Sequence, residues 1–265
     1  MRLEWRGREI EIRELGQGPA LLLIHGYPLD GAMWSAVSRR LSDRFRVLKP
    51  DLPGRPDNPA WPDGSIESYA DFIQSVAAAA GEPFGLVGFS MGGYVALALM
   101  KRRPAAVRAL ALVDTRAVAD DESVRAKREE AIAILRQRGV EPIAESMLPK
   151  LLASASIARR DLADRVRRII LRQRAETLIS DLQAMRDRPD LTAFLSEISV
   201  PTLVVVGGDD VITPPAESEE MARAIPSGRL VTIPGAGHLT PMENPIAVEQ
   251  ALGDFFGSAL GGAIS

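Results

Sequence analysis

The stretch Gly85-Leu86-Val87-Gly88-Phe89-Ser90-Met91-Gly92-Gly93 decides how the rest of the chain is organised. Residues 84–87 form a short apolar run that predicts a buried parallel strand, and residues 94–100 form a longer apolar run that predicts a helix. A Gly-x-Ser-x-Gly between a strand and a helix is typical of a sharp reversal that lifts the serine hydroxyl above the sheet. We therefore predict that Ser90 is a nucleophile, and the alternative is a serine in an ordinary loop between core elements.

Length and charge indicate the class of protein. The chain has 265 residues and a net charge of −3, which is typical of one large α/β domain or of one domain with an insertion. Lysine and arginine are interleaved with aspartate and glutamate, so we expect no nucleic-acid partner. The chain has no cysteine, which excludes disulfides, thiolate nucleophiles and cysteine-based metal sites. We expect neither a cofactor nor a metal.

Hydropathy along the chain gives no indication of a membrane segment. No stretch approaches the roughly 18 consecutive apolar residues that a helix needs to span a bilayer. Residues 1–6 lack the apolar segment of a signal peptide. We therefore expect no membrane partner and predict a cytoplasmic location.

Apolar runs that predict strands alternate with segments that predict helices. Residues 2–15 alternate apolar and charged positions, which predicts an antiparallel hairpin at a sheet edge. Short apolar runs that predict further strands lie at residues 20–24, 45–48, 84–87, 107–113, 202–206 and 229–233. This alternation predicts an α/β fold with a mostly parallel sheet and helices on both faces.

Residues 115–195 differ in character from the rest of the chain. They contain no β-branched strand runs and are rich in alanine, leucine and arginine, with helix breaks near Gly139, Pro149 and Pro189. We predict a helical cap here, so that residues 1–114 and 196–265 form the core domain and residues 115–195 the cap. Six apolar cap residues either face the substrate or pack between helices, and we favour packing for Met147, Leu148, Leu151, Leu152, Leu178 and Met185.

The two histidines of the chain receive different predicted roles. Acyl transfer by serine needs a base, an acid that orients the base, and donors for the oxyanion. Of the two histidines, only His238 lies downstream of Ser90, in a loop that follows a predicted strand. We predict His238 as the base, with an ordinary loop histidine or a zinc ligand as alternatives. His25 ends a strand and is assigned to shaping the loop that follows.

The acid is less sharply defined, because several aspartates follow predicted strands. The carboxyl ends of parallel strands share one edge of a sheet, so any of these side chains could lie within reach of the histidine. We prefer Asp210 and leave Asp114 and Asp209 open, with Asp209 better suited to a turn or a helix cap. Asp51 also follows a strand, but Pro53-Gly54 beside it indicates a structural turn.

Five motifs in order along the chain resemble the α/β-hydrolase superfamily, and more narrowly its small esterase, enol-lactonase and cofactor-free perhydrolase branch. They are His25-Gly26-Tyr27-Pro28, Asp51-Leu52-Pro53-Gly54, Gly88-Phe89-Ser90-Met91-Gly92-Gly93, Asp210-Val211-Ile212-Thr213-Pro214 and Gly235-Ala236-Gly237-His238. The resemblance implies an α/β-hydrolase fold with a mostly parallel eight-stranded sheet and an inserted helical cap. It implies Ser90 as nucleophile, His238 as base and Asp210 as acid. It also implies the backbone N–H groups of Tyr27 and Met91 as the oxyanion hole.

One segment departs from the pattern of the superfamily. After Asp51-Leu52-Pro53-Gly54, relatives continue through a short glycine-rich turn that contains serine, whereas this chain continues Arg55-Pro56-Asp57-Asn58-Pro59. This difference affects the expected shape of the loop. It does not affect Ser90, His238 or Asp210.

The resemblance and the residues together predict a serine hydrolase. Serine at position 90 counts against the dehalogenase and epoxide-hydrolase branches, which have aspartate there. The leading hypothesis is hydrolysis of small carboxylic esters or lactones through an acyl-enzyme. The alternatives are carbon–carbon bond hydrolysis or perhydrolysis on the same residues, the latter suggested by Pro28, and a ligand-binding receptor with low turnover.

Overall fold

The structure is a computed structural model, and it describes residues 1–59, 61, 64–81 and 83–261. Within these residues the chain forms nine strands. They are β1 (Arg2–Trp5), β2 (Arg8–Glu11), β3 (Arg13–Leu15), β4 (Ala20–Ile24), β5 (Arg46–Lys49), β6 (Phe84–Phe89), β7 (Val107–Val113), β8 (Thr202–Gly207) and β9 (Gly228–Ile233).

Seven of these strands form one sheet in the order β3-β5-β4-β6-β7-β8-β9. β3 is antiparallel to β5, and the other neighbours are parallel. The predicted mostly parallel sheet is confirmed, but among the described strands its count is seven and not eight. The reason is that β1 and β2 pair with each other as a separate sheet. This hairpin is attached by side-chain packing, with the Trp5 ring centroid 5.2 Å from that of Phe72.

The described part of the chain also contains eleven α-helices. They are α1 (Ser35–Leu41), α2 (Ile66–Ala80), α3 (Met91–Arg102), α4 (Glu122–Arg138), α5 (Glu141–Leu151), α6 (Ser154–Ile157), α7 (Arg160–Leu171), α8 (Ala175–Asp187), α9 (Pro215–Ala224), α10 (Thr240–Glu243) and α11 (Pro245–Gly261). None of the helices in the described ranges is long and apolar enough to cross a bilayer.

The sheet is covered on both faces, which explains why its central strands are continuous apolar runs. Successive side chains of a strand point to opposite faces. Accordingly, Leu22 and Ile24 of β4 belong to an apolar cluster that includes residues of α2 and α3. Leu21 and Leu23 belong to a second cluster, which includes residues of α1 and α11. Burial of each such leucine contributes about 1.5–3 kcal/mol relative to exposure.

Five helices, α4 to α8, lie between β7 and β8, and the described chain has no strand there. We refer to residues 122–187 as the helical insertion. Within it α4 packs against α8 and α5, and α5 packs against α7. Its apolar residues extend both clusters of the core, for example Leu182 in the first and Val166 in the second.

Candidate active site

Ser90 lies on the turn between β6 and α3, where the chain reverses direction as the sequence predicted. Its φ is 50° and its ψ is −116°, which is a region that residues other than glycine rarely adopt. Two hydrogen bonds from outside α3 hold this backbone in place, in addition to those that the Gly93 and Tyr94 N–H groups donate to its carbonyl. The Ser90 N–H donates to the Val113 carbonyl at 2.9 Å, and the Thr115 hydroxyl donates to the Ser90 carbonyl at 2.8 Å.

The glycines on either side of Ser90 are required by the close approach of α3 to the sheet. A Cβ at Gly88 would lie 2.4 Å from the Gly92 carbonyl oxygen, and a Cβ at Gly92 would lie 2.6 Å from the Ile24 carbonyl oxygen. Both separations are far shorter than van der Waals contact, so a side chain at either position would push the helix away from β4 and β6. The spacing of the motif therefore reflects how tightly the helix start is packed.

His238 lies between Ser90 and Asp210 and is within hydrogen-bond distance of both. Its Nε2 is 2.9 Å from Ser90 Oγ, and its Nδ1 is 2.8 Å from Asp210 Oδ2. All three side chains are buried. Within the described residues no group of three or more histidine, aspartate or glutamate side chains is arranged to bind a metal. The two ring nitrogens of His238 thus face a hydroxyl and a carboxylate, an arrangement suited to proton transfer.

Asp210 is held by its own loop so that its charge faces the histidine. Its Oδ1 accepts the backbone N–H groups of Ile212 at 2.8 Å and Thr213 at 3.0 Å. Its Oδ2 accepts the Thr213 hydroxyl at 2.6 Å as well as the histidine. Burial by itself would raise the pKa of Asp210, but the His238 ring and the hydrogen bonds outweigh it and hold the pKa below its usual range.

The other two candidate acids lie elsewhere. The side chain of Asp209 is exposed, and its backbone N–H donates to the Ala236 carbonyl at 2.9 Å. Asp114 is fully buried, but its carboxyl group accepts the Gly207 N–H and the Thr240 hydroxyl. Among the described residues, neither side chain forms a hydrogen bond with His238. Of the three candidate acids, Asp210 is the one whose side chain lies within hydrogen-bond distance of His238 in the described structure.

His25 lies at the end of β4, and its surroundings suit a structural role. Its Nε2 accepts the Leu52 N–H at 3.0 Å, so its Nδ1 carries the proton that is directed at the Gly26 carbonyl, 3.2 Å away. Burial, with a smaller effect of the Arg55 charge, lowers the pKa of His25 to about 3. The ring is therefore neutral, and it joins the loop after β4 to the loop after β5.

The backbone N–H groups of Tyr27 and Met91 are the predicted donors for an oxyanion. Met91 follows Ser90 directly, and the loop that carries Tyr27 passes against the same serine, because a Cβ on Gly26 would lie 3.0 Å from Ser90 Cβ. Within the described part of the chain, neither N–H group has a hydrogen-bond acceptor. The Tyr27 and Met91 N–H groups thus have no acceptor among the described residues, and each directly follows a residue at this turn, Gly26 or Ser90.

Comparison with known proteins places this geometry in a family. The chain matches the model of the alpha/beta hydrolase family over residues 21–251. It belongs to this family. The resemblance drawn from the motifs is therefore confirmed.

Several relatives of this hydrolase have named activities. It is 31% identical to the pimeloyl-[acyl-carrier protein] methyl ester esterase of Chromobacterium violaceum, over 86% of this chain and 90% of that protein. A solved structure of a thermophilic esterase from Thermogutta terrifontis is 36% identical, with a TM-score of 0.93 and 98% of both chains covered. The enol-lactonase from Burkholderia xenovorans LB400 is 26% identical, with a TM-score of 0.88, over 97% of this chain and 99% of that one.

A cavity of about 420 Å³ in the hydrolase opens onto Ser90 and His238. The core supplies Tyr27 and Tyr94 to its lining, and the helical insertion supplies most of the apolar part, namely Val124, Ala131, Ile134, Ile143, Met147, Leu182 and Met185. Of the six insertion residues weighed from the sequence, Met147 and Met185 line this cavity. The other four pack in or against the apolar clusters, as we favoured, namely Leu148, Leu151, Leu152 and Leu178.

Charged side chains at the cavity divide into paired and unpaired groups. Asp120 and Arg128 of the lining form an ion pair, and Asp120 also pairs with Arg188, which lies outside the lining. Burial would raise the pKa of Asp120, but the two arginines hold it below its usual range. Lys127 and Lys150 are exposed residues of the lining, and within the described residues neither forms an ion pair.

The loop after β5, which departs from the superfamily pattern, is bonded to the helical insertion through a buried arginine. Arg55 has no exposed surface; its Nη2 donates to Asp181 Oδ2 at 2.8 Å. Its Nε donates to the Leu29 carbonyl at 2.9 Å, and the Tyr69 hydroxyl donates to Asp181 Oδ1 at 2.7 Å. Sequence reasoning missed this pair, because its two members are 126 residues apart and neither belongs to a recognisable motif.

Proposed function

We propose that this hydrolase cleaves carboxylic esters, including lactones, through an acyl-enzyme formed on Ser90. One observation carries the proposal: the buried chain of contacts from Ser90 Oγ to His238 Nε2 at 2.9 Å and from His238 Nδ1 to Asp210 Oδ2 at 2.8 Å, at a cavity wall. These separations lie within the range needed for a nucleophile and its general base.

In the first half of the reaction, Ser90 Oγ attacks the carbonyl carbon of the ester while His238 Nε2 accepts the hydroxyl proton. The carbonyl oxygen becomes an oxyanion, which accepts hydrogen bonds from the N–H groups of Tyr27 and Met91. Asp210, kept ionised by its hydrogen bonds, stabilises the imidazolium through Nδ1. The carbon–oxygen bond to the alcohol then breaks, and His238 donates its proton to the departing oxygen.

The second half repeats these steps with water as the nucleophile. His238 removes a proton from water, and the resulting hydroxide attacks the acyl carbon of the ester formed with Ser90. The same two backbone N–H groups stabilise the second oxyanion. Its collapse releases the carboxylic acid and returns the proton to Ser90 Oγ.

The cavity and the relatives support a substrate with a short to medium apolar group. A cavity of about 420 Å³ with a largely apolar lining accommodates such a group and excludes water from it. The named relatives act on a methyl ester and an enol-lactone. We propose that residues 115–195 act as a cap over the core domain of residues 1–114 and 196–265, because the helical insertion supplies most of the apolar lining.

Turnover of p-nitrophenyl esters of increasing acyl length tests the proposal. We expect hydrolysis by the wild type, with a burst of p-nitrophenol where deacylation is the slower step, and a loss of about 10⁶-fold in kcat in Ser90→Ala. Binding without turnover would favour a receptor, and undiminished hydrolysis by Ser90→Ala would remove Ser90 from the mechanism. Formation of a peracid from acetate and hydrogen peroxide in the same assay series would favour perhydrolysis.

A further inference from the structure

Two consecutive residues that have no place in the mechanism above contact the loops of all three proposed catalytic residues. Asp114 and Thr115 follow β7 directly, and both are fully buried. Buried polar side chains need partners, so the partners of these two residues define what they hold together.

Thr115 is bonded to the loop of the nucleophile. Its hydroxyl donates to the carbonyl oxygen of Ser90 at 2.8 Å. Because Ser90 has a φ of 50°, its backbone stays in place only where the surroundings determine it. The Thr115 hydroxyl is the one side chain that bonds to this backbone among the described residues, alongside the Val113 carbonyl that accepts the Ser90 N–H and the N–H groups of Gly93 and Tyr94 that donate to the Ser90 carbonyl.

Asp114 is bonded to the loops of the acid and the base. Its Oδ1 accepts the N–H of Gly207 at 2.9 Å, where β8 ends and the loop to Asp210 begins. Its Oδ2 accepts the hydroxyl of Thr240, two residues after His238. One carboxyl group therefore connects the two loops that carry the partners of the nucleophile.

The backbone of Asp114 is fixed in an unusual conformation that aims this carboxyl group. Its φ is 45°, which aspartate and asparagine tolerate better than most residues. Its N–H donates to the Val205 carbonyl at 2.8 Å, so the residue still belongs to the sheet ladder. Val113 is paired with Phe89 in the parallel register of β6 and β7, which sets Asp114 beside Ser90 at the edge of the sheet.

We propose that Asp114 and Thr115 are positioning residues for the ester hydrolysis proposed above, on which this inference rests. They hold the loops of Ser90, Asp210 and His238 at the separations at which the two hydrogen bonds of the site form. A displacement of the base by about 1 Å costs up to about 100-fold in rate, so the expected effect is on kcat.

The role requires hydrogen-bonding capacity and does not require a negative charge at position 114. Burial, reinforced by the charge on Asp210, raises the pKa of Asp114 well above its usual range. Burial therefore favours the uncharged form of this carboxyl group over its charged form. Asparagine has the same shape and carries no charge, so Asp114→Asn is the conservative variant, and Asp114→Leu removes both hydrogen bonds at similar volume.

The test compares two matched pairs of variants in the full-length chain with p-nitrophenyl butyrate. Asp114→Leu and Thr115→Val are expected to lower kcat by about 10- to 100-fold with KM within about twofold. Thr115→Ser keeps the hydroxyl donor, and in Asp114→Asn the side-chain oxygen still accepts the Gly207 N–H while the side-chain NH2 donates to the Thr240 hydroxyl oxygen, so both variants are expected to stay within about threefold of the wild type. If Asp114 and Thr115 contributed only to stability, Asp114→Leu and Thr115→Val would lower the melting temperature, but they would not lower kcat while leaving KM unchanged.

The inference is overturned if Asp114→Leu and Thr115→Val fold and keep the wild-type kcat, or if Asp114→Asn loses as much activity as Asp114→Leu. If Asp114→Leu does not fold, Thr240→Val is the substitute, because it removes the hydrogen bond between the Thr240 hydroxyl and the Asp114 carboxyl group. We expect it to lose about tenfold in kcat, and an unchanged kcat overturns the inference. Activity that survives Ser90→Ala would refute the proposed function instead, so the two failures are distinguishable.

Discussion

The two sides of the cavity in this hydrolase are held in place by different interactions. On the core side, Ser90, Asp210 and His238 lie on short loops directly after parallel strands, and hydrogen bonds within and between those loops fix them. On the side of the helical insertion, apolar side chains such as Ile134 and Met147 face the cavity from helices that reach the core through longer-range contacts. The positions of the core residues are therefore determined by contacts within and between their own loops. The positions of the insertion residues are determined by how the insertion packs against the core.

The helical insertion, including the residue that precedes α8, forms hydrogen bonds with the loop after β5. Besides the Arg55 contacts, the guanidinium of Arg174 donates to four carbonyl oxygens of that loop, those of Gly54, Arg55, Asn58 and Pro56, at 2.8–3.1 Å. Arg174 directly precedes α8. The loop that departs from the superfamily pattern is thus one of the places where the insertion is bonded to the core, and Asp30 and Glu243 form others.

The largest effect is expected on the core side, at the acid. Asp210→Asn should lower kcat by about 10³- to 10⁴-fold, because asparagine cannot stabilise the imidazolium and favours the wrong tautomer of His238. Asp209→Asn is the matched control, since that side chain is exposed and has no contact with the histidine. It should stay within about twofold of the wild type. Steady-state kinetics with one p-nitrophenyl ester measures both, and equal losses would show that the local account of the core side is wrong.

The next effect is expected where the insertion docks. Arg55→Met leaves the carboxylate of Asp181 buried without its cation, and should lower the free energy of unfolding by about 3–5 kcal/mol. The control is Arg2→Met, which removes an ion pair with 77% and 69% side-chain exposure instead of 0% on both sides. It should cost at most about 1 kcal/mol.

Urea unfolding curves measure both changes. The double variant Arg55→Met/Asp181→Leu sharpens the comparison, because it removes both buried charges and should recover part of the lost stability. The double variant could instead be less stable than Arg55→Met, by as much as a second core substitution costs. That result would indicate that these residues contribute packing and not charge pairing.

The smallest effect is expected on substrate choice. Met147→Ala enlarges the cavity from the insertion side, and should raise the ratio of kcat/KM for the hexanoate over the butyrate ester by about tenfold. Leu148→Ala is the control, because this half-buried neighbour packs against the second apolar cluster and does not line the cavity. A similar shift in both variants would mean that acyl-length preference does not depend on direct contact with the insertion.

The difference between the locally fixed core side and the packed insertion side explains which features could be predicted from the sequence. Strand ends on the core side are marked by local motifs, so the turn at Ser90 and the strands around it were predicted. The choice between Asp210 and Asp114 could not be made by spacing, because both follow parallel strands. The deciding geometry comes from side chains such as Thr213, whose hydroxyl holds Asp210 toward His238.

Long-range packing accounts for the expectations that failed or were missing. The N-terminal hairpin has a strand pattern, but whether it joins the main sheet depends on where Trp5 packs, and it forms a separate pair. Which apolar residues of the insertion face the cavity depends on how the insertion is docked. That docking includes the buried pair of Arg55 and Asp181, which carries no local signal.

The central claim is that the Ser90 hydroxyl is the nucleophile, and covalent labelling tests it most directly. A p-nitrophenyl alkylphosphonate reacts with an activated serine to give a stable phosphonyl ester, which intact-mass measurement and peptide mapping locate. The account predicts one phosphonyl group per chain on Ser90, released p-nitrophenol in equal amount, and no label on a folded Ser90→Ala variant. Label on a different residue, or ester turnover that continues after Ser90 is fully labelled, would contradict it.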